Sequence, residues 1–174
     1  HRGPGALTPL RLAPLVLALA LPASATAEWE ARPRPEAAGS LHAVVENPTG
    51  ERLAVRRDGE DRVLGTFSLG PGFDEFREDT CPSFRVDDEP PVNLARQAAP
   101  CVVEGPRATF LFGRVEAGTL DSPLVLQLMN GRTLTLRYPL ERRGYRETRF
   151  PLEGSKQTLR DMLGQGVDVL GDVP

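Results

Sequence analysis

Residues 41–57 read Leu-His-Ala-Val-Val-Glu-Asn-Pro-Thr-Gly-Glu-Arg-Leu-Ala-Val-Arg-Arg. In Asn47-Pro48-Thr49-Gly50, proline stands where a type I turn needs φ near −65° and glycine where φ is positive. That chemistry predicts a three-residue hairpin loop with a glycine bulge. The register follows from it. Val45 faces Leu53 and Ala43 faces Val55, giving one apolar face. Glu46 faces Arg52 and His42 faces Arg56 on the other. Turn and pattern agree, so the unit is an antiparallel β-hairpin with one buried side.

Working outward, the same alternation marks strands at 61–69, 83–87, 108–115 and 144–150, with turns at Asp58-Gly59 and Gly70-Pro71-Gly72. Residues 123–140 are read as a second hairpin. A three-residue loop, Met129-Asn130-Gly131 with Gly131 left-handed, pairs Leu126 with Leu134 and Leu124 with Leu136 and keeps the leucines on one face. One helix is expected, from an N-cap at Ser155 to Gly164, with Leu159, Met162 and Leu163 on one side. The tail 165–174 reads as a short strand or loose segment. The fold class is therefore mainly β: an antiparallel β-sandwich or barrel with one short C-terminal α-helix. Seventeen glycines and 17 prolines in 174 residues suit such a turn-rich chain.

The N-terminal 27 residues read differently. Arg2 and Arg11 precede an apolar run, Leu12 to Leu21, and small residues then lead to a cut after Ala25 or Ala27. This is the pattern of a secretory signal peptide. The run is shorter than the roughly 20 residues that span a bilayer. The expected organisation is thus 1–27 signal peptide, 28–40 an extended N-terminal lead-in, and 41–174 a single β-rich domain. Pro33 and Pro35 forbid a helix in the lead-in, and Trp29 is expected to pack on the domain. Removing the leader would leave 19 basic against 24 acidic residues, a charge of −5. An acidic chain is not a general nucleic-acid binder. The 21 basic residues are 20 arginines and Lys156, and isoleucine is absent. We read this as codon pressure in a GC-rich bacterial genome, which accounts for the arginine excess.

Cys81 and Cys101 are the only cysteines. In an oxidising compartment they are expected to form one structural disulfide. Their spacing is unlike that of redox-active Cys-x-x-Cys pairs.

Catalytic chemistry finds little support in the residues. His42 is the one histidine outside the leader, and a neighbouring Arg56 disfavours the imidazolium that a catalytic base must form. Residues 74–89 hold seven acids, Asp74, Glu75, Glu78, Asp79, Asp87, Asp88 and Glu89, against Arg77 and Arg85. Their spacing matches no calcium loop, and they are read as solvated rather than as a metal site or an acid/base pair. No cofactor is expected. Residues 132–149 carry the opposite charge, six arginines against Glu141 and Glu147. Arg137, Arg142, Arg143, Arg146 and Arg149 form the candidate partner patch, for an envelope protein or an anionic glycan. An internal use, set against the acidic 74–89 segment, is the alternative.

The stretch 124–164, ending in "YRETRFPLEGSKQTLRDMLG", resembles the invasion-associated locus B family of bacterial envelope proteins. The likeness includes a leading tryptophan (Trp29), a cysteine-containing middle, and a final strand before Leu152-Glu153-Gly154 at a helix start. The resemblance implies a periplasmic or secreted, non-enzymatic protein linked to host-cell entry or envelope stress. It carries over no catalytic residue. The resulting expectation is a non-catalytic exported envelope protein, periplasmic or secreted, that binds a partner and has no membrane span after cleavage. The alternative is a small periplasmic inhibitor of a hydrolase, presenting the disulfide-held loop 81–101.

Overall fold

The computed structural model describes residues 27–72, 74–92 and 101–173. The expected signal peptide lies outside them, apart from Ala27. Eleven strands run through the described residues: β1 (Glu30–Pro33), β2 (Leu41–Glu46), β3 (Arg52–Arg57), β4 (Arg62–Ser68), β5 (Ser83–Val86), β6 (Val102–Glu104), β7 (Arg107–Glu116), β8 (Thr119–Leu120), β9 (Thr133–Leu140), β10 (Gly144–Pro151) and β11 (Asp168–Val169). Two helices join them, α1 (Pro123–Asn130) and α2 (Ser155–Leu163).

The strands make a curled half-barrel and a smaller second sheet. The large sheet runs β1-β2-β3-β4-β7-β8-β11, with β6 also beside β7, and the small one runs β10-β9-β5. Every pairing is antiparallel except that of β11 with β8. The mainly β expectation holds, with a second helix added to it. The β2–β3 register matches the sequence reading, Ala43 opposite Val55 and Val45 opposite Leu53. Its loop is three residues long, closed by a bond from Gly50 N to Asn47 O (2.9 Å), with φ of Gly50 at 87°. Within the lead-in, Glu30–Pro33 form β1, paired with β2 from Glu30 opposite Val44 to Pro33 opposite Leu41, and a turn then leads into β2. Trp29 is buried and its indole Nε1 donates to Pro151 O at 2.8 Å.

The core joins the two sheets through aromatic rings. Phe67 of β4 lies 5.1 Å from Tyr138 of β9 and 6.4 Å from Phe150 of β10, centroid to centroid. Phe84 of β5 lies 4.8 Å from Phe110 and 5.5 Å from Phe112, both on β7. The second ring needs room, and Gly65 on the neighbouring strand provides it. A Cβ built there would stand 2.1 Å from Phe112 Cζ.

Residues 123–140 correct the sequence reading, because they are a helix followed by a strand and not a hairpin. Leu124, Leu126 and Leu128 alternate, yet Leu124, Val125, Leu128 and Met129 also fall on one helical face, and those four are buried. The start decides between the periods. Ser122 Oγ accepts from Val125 N (3.2 Å) as an N-cap, and Pro123 occupies the first turn, where its missing N–H costs nothing. Gly131 is extended, at φ −81°, rather than left-handed, and closes the helix through its N–H to Gln127 O. A glycine is needed there for space, since a Cβ would meet Val86 Cγ1 at 2.2 Å. Leu134 and Leu136 pair with Phe150 and Thr148 of β10 and with Val86 and Phe84 of β5.

A smaller correction concerns α2. Its N-cap is Gly154, left-handed at φ 80°, and Ser155 is the first helical residue. The Ser155 hydroxyl is buried and lies 2.7 Å from both Leu128 O and Leu152 O, so it ties α2 to the end of α1.

Candidate partner-binding face

The Cys81–Cys101 disulfide forms as expected, with Cα atoms 5.9 Å apart. Cys81 precedes β5 and Cys101 precedes β6, so the bond ties the small sheet to an edge of the large one. Residues 93–100 of the enclosed loop lie outside the described residues.

Alternation along the small sheet sorts the arginines. Phe84, Val86, Leu134, Leu136, Tyr138, Thr148 and Phe150 are buried inward. The opposite parity faces outward: Ser83 and Arg85 on β5, Thr135 and Arg137 on β9, and Tyr145, Glu147 and Arg149 on β10. Pairing sets Arg149 opposite Thr135 and Thr135 opposite Arg85, which places the two arginines two strand spacings apart, about 10 Å. Thr135 faces outward yet is only 7% exposed, which fits two long arginine stems laid beside it. Arg137 stands one pleat further along β9, with its guanidinium 4.8 Å from the centroid of the Tyr145 ring. This contact holds an exposed cation over an exposed ring. Among the described residues, no carboxylate lies within salt-bridge distance of Arg85, Arg137 or Arg149.

The five-arginine patch is therefore divided. Arg137 and Arg149 share the outer face. Arg142 and Arg143 sit in the β9–β10 turn, where Arg143 Nε meets Asp74 Oδ1 at 3.3 Å. Arg146 has the inward parity but lies beyond the core and is exposed. It sits near Tyr138, whose hydroxyl donates to Glu51 Oε1 at 3.3 Å. Burial first, and then the Glu51 charge, push the Tyr138 phenol up to about 12. Among the described residues, the one ion pair between a patch arginine and the acidic segment is Arg143–Asp74 at the turn. Arg85, grouped by sequence with the acids, belongs to the basic face. The inward Phe84 and Val86 on either side of it are the sequence signal for that.

The acidic segment has structural work of its own. Asp87 is left-handed (φ 50°), and its carboxylate accepts from Arg132 N (3.1 Å) and Thr133 N (2.9 Å) at the start of β9. No group of three or more His, Cys, Asp or Glu able to hold a metal occurs among the described residues. His42 faces Arg56 as expected, but partial burial first and then Arg52, not Arg56, lower its pKa.

The edges of the small sheet differ. Val92 covers β5, exchanging bonds with Phe84 at 2.6 and 3.0 Å. Leu152 N bonds Arg132 O, so the hydrogen-bonded pairs of β10 with β9 are those of Phe150, Thr148 and Arg146. The backbone groups of Tyr145, Glu147, Arg149 and Pro151 therefore point away from β9. Trp29 takes the Pro151 carbonyl, and among the described residues nothing takes the other three. A cleft of about 860 Å³ opens here, lined by Trp29, Pro48, Arg149, Pro151, Glu153 and Thr158.

Fold and face together define a disulfide-braced, mainly β domain with a basic outer sheet. No family model matches the chain, and neither a curated protein nor a solved structure matches it.

Proposed function

We propose that this chain is an exported, non-catalytic domain of the bacterial cell envelope, periplasmic or secreted, that holds an anionic partner on the outer face of its small sheet. The observation that carries this reading is the triangle Arg85–Arg137–Arg149, none of which makes a salt bridge among the described residues although Glu147 stands opposite Arg137, with Arg137 held on Tyr145. Three fork-shaped donors on a rigid sheet suit carboxylate, sulfate or phosphate groups. The disulfide supports an oxidising compartment. No helix among the described residues is long and apolar enough to cross a membrane. Membership of the invasion-associated locus B family belongs to this proposal and lends no residue to the site.

The test is retention on immobilised polygalacturonate, a carboxylated polymer. A chain with net charge −3 is held by such a matrix only through a local basic surface. The expected result is salt-dependent retention that is lost when Arg85, Arg137 and Arg149 are all changed to Gln. Equal elution of that variant and the parent would refute the assignment of the face. Recovery of the protein in the cytoplasmic fraction of a bacterial host, with residues 1–27 still attached, would refute export.

A further inference from the structure

We infer that a second copy of this chain docks along β10. The two β10 strands run antiparallel about a two-fold axis at Thr148, and the two three-stranded small sheets join as one sheet of six strands.

The edge supplies the bonds. Tyr145, Glu147 and Arg149 each turn an N–H and a C=O away from β9, and among the described residues nothing pairs with them. Such a row is a template for another strand. A two-fold contact is isologous and closed, since each copy offers the edge that it receives. Only odd-numbered residues of β10 present their backbone outward, so the axis passes through a residue and not between two.

Charge then selects that residue. An axis at Arg146, Glu147 or Arg149 sets the charge against itself, and an axis at Phe150 sets Glu147 against Glu153. An axis at either end of β10 leaves too little strand to pair. At Thr148 the charges match: Glu147 stands opposite Arg149 of the copy, and Arg149 opposite its Glu147. These two pairs exchange four backbone hydrogen bonds. Pairing stops at Pro151, which has no N–H and whose carbonyl already takes Trp29 Nε1. Beyond it the same register brings Arg146 of the copy beside Phe150 and carries its Arg142 and Arg143 toward Glu153. The cleft at that end is lined by Glu28 and Glu153 as well as Trp29 and Pro48. The basic start of each β10 therefore meets the acidic end of the other. Among the described residues, Glu28, Glu147, Glu153, Arg146 and Arg149 make no ion pair that the copy would have to break. The two outer faces merge across the axis, with Arg85 and Arg137 of both copies on one surface. The two Arg137 residues stand three strand spacings apart, roughly 14 Å, which is beyond a Debye length at physiological salt.

The test is sedimentation velocity of the purified protein over a range of concentrations, with amide hydrogen exchange of the ¹⁵N-labelled protein at the highest. The expected result is a concentration-dependent dimer in which the Glu147 and Arg149 amides exchange at least about tenfold more slowly than in an unstructured peptide. Glu147→Arg alone sets arginine against arginine twice across the axis, and Arg149→Glu alone sets glutamate against glutamate. Each variant should dimerise about tenfold more weakly or worse. Mixed together, the two variants regain both opposite-charge pairs and should associate as a heterodimer, a recovery that misfolded variants would not give. A monomer at every concentration, a dimer whose Glu147 and Arg149 amides exchange unprotected, or a mixture that associates no better than either variant alone overturns the inference. The exchange measurement uses the unmodified protein, so it decides even if a variant fails to fold. Retention on polygalacturonate is a separate readout: a monomer that is still retained loses the dimer and keeps the basic face.

Discussion

Single side chains here do work that their chemical type does not announce. Asp87 sits in a dense run of acids, yet it holds the β9 start through two backbone amides. Removing its carboxylate leaves those donors without a protein partner and puts a Cβ-bearing residue without a local acceptor at positive φ. The site is exposed, so water can take the freed amides, and Asp87→Ala should cost about 0.5–1.5 kcal/mol in denaturant unfolding, with Asp87→Asn distinctly less, because its amide oxygen still accepts. Tyr138 offers a spectroscopic check. With its phenol pushed up to about 12, it stays neutral in the folded chain well beyond the pH at which an unfolded tyrosine ionises, about 10. Its contribution is thus complete below about pH 10 and is lost as pH rises through about 12. Ultraviolet titration should find a phenol ionising only near pH 12, and Tyr138→Phe should remove that step. Gly65 is a third such residue, and Gly65→Ala would force the Phe112 ring out of its place against β4.

Among the elements, hairpins were legible wherever turn chemistry and alternation agreed, as at 41–57. They were not legible at 123–140, where a leucine-rich run satisfies periods of both 2 and 3.6. The Ser122-Pro123 pair was the deciding local signal, and it sits before the run rather than inside it. Ser122 also donates from Oγ to Phe112 O at 2.6 Å, so it joins α1 to β7 as well as capping the helix. Ser122→Ala should lower stability by roughly 1–2 kcal/mol, with the loss of helical ellipticity confined to α1. The disulfide acts at the same scale, because it bridges elements of different sheets. In the chain-entropy model, closing 20 residues stabilises by about 3 kcal/mol. Cys81→Ser with Cys101→Ser should lose about that much, read as a lower unfolding midpoint with an increased slope if the unfolded chain expands.

Across the whole molecule, an acidic chain carries a basic sheet face, and only the packing of two sheets separates those charges. Local sequence alone specifies the turn-rich β class, the β2–β3 register and the cysteine pair, since each rests on neighbours within about 20 residues. It also marked the arginine-rich segment 132–149, but as one patch. Tertiary structure split that patch three ways, because a strand sends alternate residues to opposite faces and the turn joins a different neighbourhood. It brought Arg85 from the acidic segment to the basic face through the β5–β9 pairing. Among the described residues, it left the β10 edge without a partner strand while Val92 closed the β5 edge and Trp29 capped the far end. Those outcomes depend on contacts between residues as much as 122 positions apart, Trp29 and Pro151 among them. Local propensity and periodicity carry no information over that distance, and the burial of one aromatic core between two sheets does.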